Sequence, residues 1–306
     1  MPRYVTRNRK TRQTRYRKRA PIRKYRRPTR PTRKSGGRSY KRILSMTATK
    51  KRDTMLTWSN TTVNAPSGGV DYTPTDAVLI GGQSYIFPWI ASARPALNAA
   101  GQSGVPIEAA VRTKTTCFMR GLKERITVQT NTGSCWQWRR ICFTMKGNLL
   151  YGSDGTNLRW SLLQTDVGRG AQGMVRVVNS VTGSQPGTNL IDILFKGRNG
   201  KDWNNVMSAP TDNTQVTIKY DKTRTIQSGN DDGILRTFSR WHPMGKNLVY
   251  NDDEAGSTEE VGRYSVPGKQ GMGDYYVVDF VNSAFGSAPT DRMVLGINST
   301  LYWHEK

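Results

Sequence analysis

Carboxylates are missing from the first 52 residues of this 306-residue chain, and the first to appear is Asp53. Histidine is nearly missing too: only His242 and His304 occur, far apart in the sequence. They cannot build an H-x-H or H-E-x-x-H arrangement, which excludes metal-histidine nucleases and zinc proteases of those types. A Ser-His-Asp arrangement would have to use one of the two. His242 precedes a proline in "RWHPM" and His304 stands in "YWHEK", so both read as structural or surface histidines. The three cysteines, Cys117, Cys135 and Cys142, have spacings of 18 and 7. That odd set makes neither a disulfide framework nor a zinc pattern, and it suits a reducing compartment.

Other absences narrow the class further. No stretch approaches the ~18 consecutive apolar residues of a membrane span, so no membrane partner is expected. The basic N-terminal residues lead into no apolar segment of a secretory signal, and Pro21, Pro28 and Pro31 break the amphipathic helix of a transit peptide. No G-x-x-x-x-G-K-[ST] motif exists, which excludes a P-loop motor. Gly168, Gly170 and Gly173 do spell G-x-G-x-x-G, with Asp192 beyond. The fingerprint needs a helix next, whose N-terminus holds the pyrophosphate, but "MVRVVNSVTG" follows. The motif reads as a loop. "NDDEAGSTEE" (251–260) gathers Asp252, Asp253, Glu254, Glu259 and Glu260 without calcium-loop spacing, and reads as a solvated acidic turn. No catalytic residue, metal or cofactor is therefore assigned, and the chain is not expected to be an enzyme.

What is present is charge, unevenly spread. Residues 1–52 hold 22 of the 47 Lys and Arg, while the remainder carries 25 basic and 22 acidic side chains. The chain thus reads as a nearly neutral domain (44–306) behind a cationic arm (1–43). The arm repels itself and has little apolar side chain to bury, so it is expected to be disordered when alone. Arginine interleaved with Tyr4, Tyr16, Tyr25 and Tyr40 suits single-stranded nucleic acid, since guanidinium groups follow phosphates and rings stack on bases. The candidate contacts are Arg3, Arg7, Arg9, Lys10, Arg12, Arg15, Arg17, Lys18, Arg19, Arg23, Lys24, Arg26, Arg27, Arg30, Arg33, Lys34, Arg38, Lys41 and Arg42. Two clusters within them, Arg15, Arg17, Lys18, Arg19 and Arg23, Lys24, Arg26, Arg27, are compatible with nuclear localisation.

Beyond the arm, about eight strand-like runs are separated by Gly, Pro, Asn, Asp and Ser clusters. They include 54–63, 114–130, 134–145, "NLIDILF" (189–195), 214–226, 234–251, 274–281 and 292–303. "NTGS" is expected to turn the second of these into the third. Only "SLLQTDV" and "AVLIGG" could be argued as helix. Long irregular loops between the runs fit an all-β, eight-stranded, double-sheet jelly roll better than a small up-and-down barrel. In "SCWQWRRICF" neither face is cleanly polar, which means either a surface covered by nucleic acid or another chain, or a large core with two snorkelling arginines. Lys114, Arg120, Arg139, Arg140, Lys219, Lys222 and Arg224, in or beside strands, are expected to continue the DNA path over a sheet surface, and the competing expectation is structural ion pairs with Glu124, Asp221 or other acids.

A basic arm before a loop-rich β domain is the layout of small icosahedral virus coat proteins. "TCFMRGLKERITVQTNTGSCWQWRRICFTMKG" (116–147), "VTIKYDKTRTI" (216–226), "MGKNLVYNDDEAG" (244–256) and "RMVLGINSTLYWHEK" (292–306) resemble the capsid proteins of genomoviruses, and more distantly the coat proteins of geminiviruses. The resemblance implies a homo-oligomeric T=1 shell of sixty copies, packaging of circular single-stranded DNA, contact with host nuclear import factors, and a life divided between virion and host nucleus. The Cys/His cluster of geminivirus coat proteins is not reproduced. The competing expectation is a viral or cellular nucleic-acid-binding protein of the movement or silencing type that forms no shell.

Overall fold

The computed structural model describes residues 43–98, 100–151, 159–168 and 173–306. Every arm contact proposed above, from Arg3 to Arg42, and both localisation clusters lie outside the described residues. Ser45–Lys306 make one compact unit that is predominantly β.

Two sheets carry the architecture. In the first, β1 (Thr49–Met55), β14 (Arg292–Glu305), β5 (Thr116–Thr130) and β10 (Leu235–Val249) lie side by side, with β3 (Ala77–Ile80) also on β14. In the second the order is β4 (Ser84–Ile90), β13 (Asp274–Ser283), β6 (Trp136–Met145) and β9 (Thr217–Ile226). All of these pairings are antiparallel. A small sheet of β2 (Thr57–Ser59), β8 (Met174–Val178) and β7 (Leu162–Leu163) and a hairpin of β11 (Asp253–Ala255) and β12 (Thr258–Glu260) complete the described strands. Ile126, Val128, Leu295 and Ile297 of the first sheet pack on Trp136, Trp138, Phe87 and Val281 of the second.

The sheets differ in how they are covered, and this positions everything that follows. In β5 exposed and buried residues alternate, as in a strand with one wet face. In β13 and β4 nearly every side chain is buried, which requires cover on both faces. The second cover comes from this chain itself. The helix Gln185–Leu194 and the segment after it lie there: Phe195 meets Phe280 at 5.6 Å, and Leu190, Ile193 and Leu194 join the same core as Val278 and Phe280. That resolves the two-faced "SCWQWRRICF": neither nucleic acid nor a second chain is needed to bury it.

Two sequence expectations fail here. "NLIDILF" is the end of a helix and not a strand. Ser184 caps it by accepting from the Gly187 N–H, Pro186 sits in the first turn, and buried Gly187, Leu190, Ile193 and Leu194 follow helical spacing. "NTGS" is not a hairpin turn either, because β5 and β6 lie in different sheets. Gly133 there has no positive φ. Its hydrogen in place of a Cβ is needed for packing, since a Cβ would stand 2.7 Å from the Asn230 carbonyl oxygen. "AVLIGG" supplies β3, and "SLLQTDV" contains β7 and a 3-10 turn, Gln164–Val167.

Candidate nucleic-acid interface

Arg139 and Arg140 must be withdrawn from the DNA path. Arg139 is buried under the 195–212 segment: its guanidinium holds Asp221 through both oxygens, at 2.9 and 2.6 Å, and donates to the carbonyls of Val206 and Ala209. Arg140 points between the sheets, bidentate on Asp279 at 2.7 and 2.8 Å and bonded to Glu124. Arg176 of β8 reaches the same two carboxylates, at 3.0 Å from Asp279 and 3.5 Å from Glu124. Burial opposes ionisation of Glu124, but Arg140, His242 and Arg176 outweigh it and hold the carboxyl well below its usual range. For these two arginines the competing expectation holds: Arg139 pairs with Asp221 and Arg140 with Glu124.

Lys219, Lys222 and Arg224 sit differently. β9 is the last strand of its sheet, and Lys219 and Lys222 are exposed while Arg224 is half-buried over the Phe238 ring of β10, 5.2 Å from its centroid. Partial burial and neighbouring Lys246 lower the affinity of Lys219 for its proton. The three therefore make a basic sheet edge.

A larger cationic surface, of which the sequence expectation named only Arg120, is the wet face of the first sheet. Residues opposite one another on antiparallel strands share a face. One row runs Lys50–His304–Phe118–Asn247, the next Arg52–Tyr302–Gly121–Pro243, then Thr54–Thr300–Lys123–Trp241, then Asn298–Arg125–Ser239. Arg120 is exposed beside Gly121, where the β5–β14 register shifts and puts two successive residues on this side. Lys50, Arg52, Arg120, Lys123 and Arg125 are all exposed, and among the described residues none makes an ion pair. The carboxylates of these strands go the other way. Asp53 turns to Arg94, Glu124 is buried, and buried Glu305 accepts from Thr113 and Trp303. At the far end Asp76 packs over Gly296.

Aromatic rings are set among these cations. Trp241 is half exposed and lies across Gly121, where a Cβ would come within 2.6 Å of the indole. Its ring tilts against Tyr302 at 5.8 Å, and Phe118 meets His304 at 6.3 Å one row away. Partial burial, then Arg120 and Lys50, disfavour the His304 imidazolium. The signal that could have found this face is the alternation K-x-R in 50–52 and R-x-x-K-x-R in 120–125. Counting Lys50, Lys51 and Arg52 with the arm hid it, because all three belong to β1. Lys51, which points the other way, is buried with its ammonium on the carbonyls of Pro106 and Glu108 at 2.9 and 2.7 Å.

His242, Cys142, Glu124 and Asp252 have buried structural partners. His242 lies beside Cys142, with Nδ1 3.8 Å from Sγ, and its Nε2 is 3.4 Å from Glu124. The histidine that the sequence did not place near a cysteine is thus there, across one hundred residues. All three groups are buried, and burial pushes the Cys142 thiol up, the reverse of what a nucleophile needs. Asp252 of the acidic turn holds buried Arg112 through both oxygens, at 2.6 and 2.8 Å, and no group of three metal-ligating side chains occurs among the described residues. Gly168 ends the 3-10 turn, and strand β8 follows Gly173 where a dinucleotide fold would need a helix. No protein-family model matches the chain, and no curated protein matches it.

Proposed function

We propose that this protein is a capsid protein, assembling a small icosahedral shell around circular single-stranded DNA, as the resemblance to genomovirus capsid proteins implies. The observation that carries the reading is the division of charge: 22 cations and no carboxylate in the first 52 residues, against near balance in the rest. A free-standing binding protein has no need to keep its body neutral. Subunits packed shoulder to shoulder do, because like charges on their flanks would repel. In a T=1 shell of sixty copies the arms would neutralise on the order of a thousand phosphates.

The sheet orders β1-β14-β5-β10 and β4-β13-β6-β9 support a jelly roll. Taking the eight strands in chain order, each sheet draws alternately from both halves of the sequence, as two nested Greek keys require. The small third sheet, the extra hairpin and the covering helix are then insertions on that frame. Packaging, host nuclear entry and a virion location follow from the same reading.

The test is the salt dependence of single-stranded DNA affinity. Removing residues 1–42 is expected to abolish most of it and flatten the slope of log affinity against log salt, while the β unit still folds. A truncated chain with the full affinity and the same slope would refute the assignment.

A further inference from the structure

We infer that the wet face of the first sheet is a second nucleic-acid site, on which unpaired bases stack at the Trp241–Tyr302 pair while Arg52, Lys123 and Arg125 hold the phosphates. The inference rests on the nucleic-acid reading above and names the place and the strand state.

Three observations converge on it. The five outward cations have no described ion-pair partner, and Asp53, Glu124 and Glu305 turn inward, so the carboxylate left on this face is Asp76 over Gly296 at the far end. Second, Trp241 is the exposed member of a set of eight tryptophans whose other seven are buried. An indole held in water is costly unless something covers it, and aromatic faces bind any base without regard to sequence. Third, the ring is held in place. Gly121 provides the only side-chain size that fits beneath the indole, and Tyr302 flanks it at 5.8 Å. A base arriving there loses little to reorganisation of the protein.

The charge also selects the occupant. A second copy of the same face would bring cations against cations, which is unfavourable. Duplex DNA keeps its bases stacked inside and presents phosphates and grooves, and this face is made of paired strands with no helix to enter a groove. A single strand offers phosphates and free base faces together. Residues two apart on a strand stand about 7 Å from each other, so Lys123 and Arg125 can meet successive parts of one backbone.

The experiment titrates the full chain with oligo(dT) at low salt while following tryptophan emission. The wild type should bind with quenching, since Trp241 is the tryptophan within reach of a base. Trp241→Ala should lose the quench and weaken binding at least about five-fold, whereas Trp241→Phe should lose the quench yet keep most of the affinity because a stacking ring remains. Lys123→Gln should shallow the salt slope by about one counterion. Salt-dependent binding without quenching, with Trp241→Ala as tight as wild type, would overturn this site and leave the packaging reading intact. Absence of any binding to oligo(dT) would overturn both. Equal quenching by a blunt duplex would overturn the single-strand assignment. If Trp241→Ala instead blocked self-association in the absence of DNA, the face would be a subunit contact and the inference wrong. Far-UV circular dichroism of each variant separates these outcomes from misfolding.

Discussion

Asp274 and Glu124 are both buried carboxyls, and their surroundings drive them in opposite directions. Glu124 has Arg140 and Arg176 against it. Asp274 is bonded instead to neutral groups, the Ser92 hydroxyl at 3.1 Å and the Ser265 hydroxyl and N–H at 2.8 and 3.0 Å. Burial outweighs those hydrogen bonds and pushes its pKa up to about 6. A carboxyl raised in the folded state binds a proton there that the unfolded chain has already released. Stability from this residue is therefore present below its ordinary range and is lost as pH rises from about 4 to about 6, on the order of 3 kcal/mol. Glu124 works with the opposite sign, but only at lower pH, where its unfolded form begins to protonate. Asp274→Asn is expected to remove the loss between pH 4.5 and 7, so its denaturant midpoint should gain on the wild type as pH rises. Parallel midpoints across that range would show that Asp274 is not held protonated. An ion pair to Glu124 was one of two expectations for the strand arginines, but in the sequence Asp274 is only one more acid in a β-run. Pairing across sheets depends on a fold that brings residues 124, 140, 176 and 279 to one point.

At the scale of elements, long β-runs were readable because their composition and turns agree with their environment. β5, β6, β9, β10, β13 and β14 fall where alternation and β-branched content placed them. The failures share one cause, which is that local pattern does not say which layer an element joins. "NLIDILF" is a short apolar run that strand and helix both accommodate, and the decisive signals, Ser184 and Pro186, precede it. The "NTGS" segment looks like a hairpin turn but crosses between sheets. The helix closes one sheet, and the first sheet keeps its open face. Leu190 is fully buried in that cover. Leu190→Ala should cost about 2–5 kcal/mol in urea unfolding. Oligo(dT) affinity at low temperature, where the variant is still folded, should not change. A loss of affinity equal to that of Trp241→Ala would place the binding surface on the covered sheet after all.

For the whole molecule, the charge break seen in the sequence does not coincide with the structural one. Lys50 and Arg52 are counted with the arm by composition, yet they stand in β1 and belong to the open face. The basic surface of the folded unit therefore includes cations that composition alone assigns to the arm. The all-β class was legible from turn spacing and composition. Of the open cationic face only Arg120 was, because its members come from β1, β5, β10 and β14 and meet only through strand register. These parts, we propose, serve a shell. An electron micrograph of the purified full-length chain mixed with circular single-stranded DNA at low salt tests that most directly. Uniform, closed particles of one small diameter are predicted for DNA circles of unrelated sequence, while protein that stays monomeric or dimeric on the DNA, or coats it without closing, would contradict it.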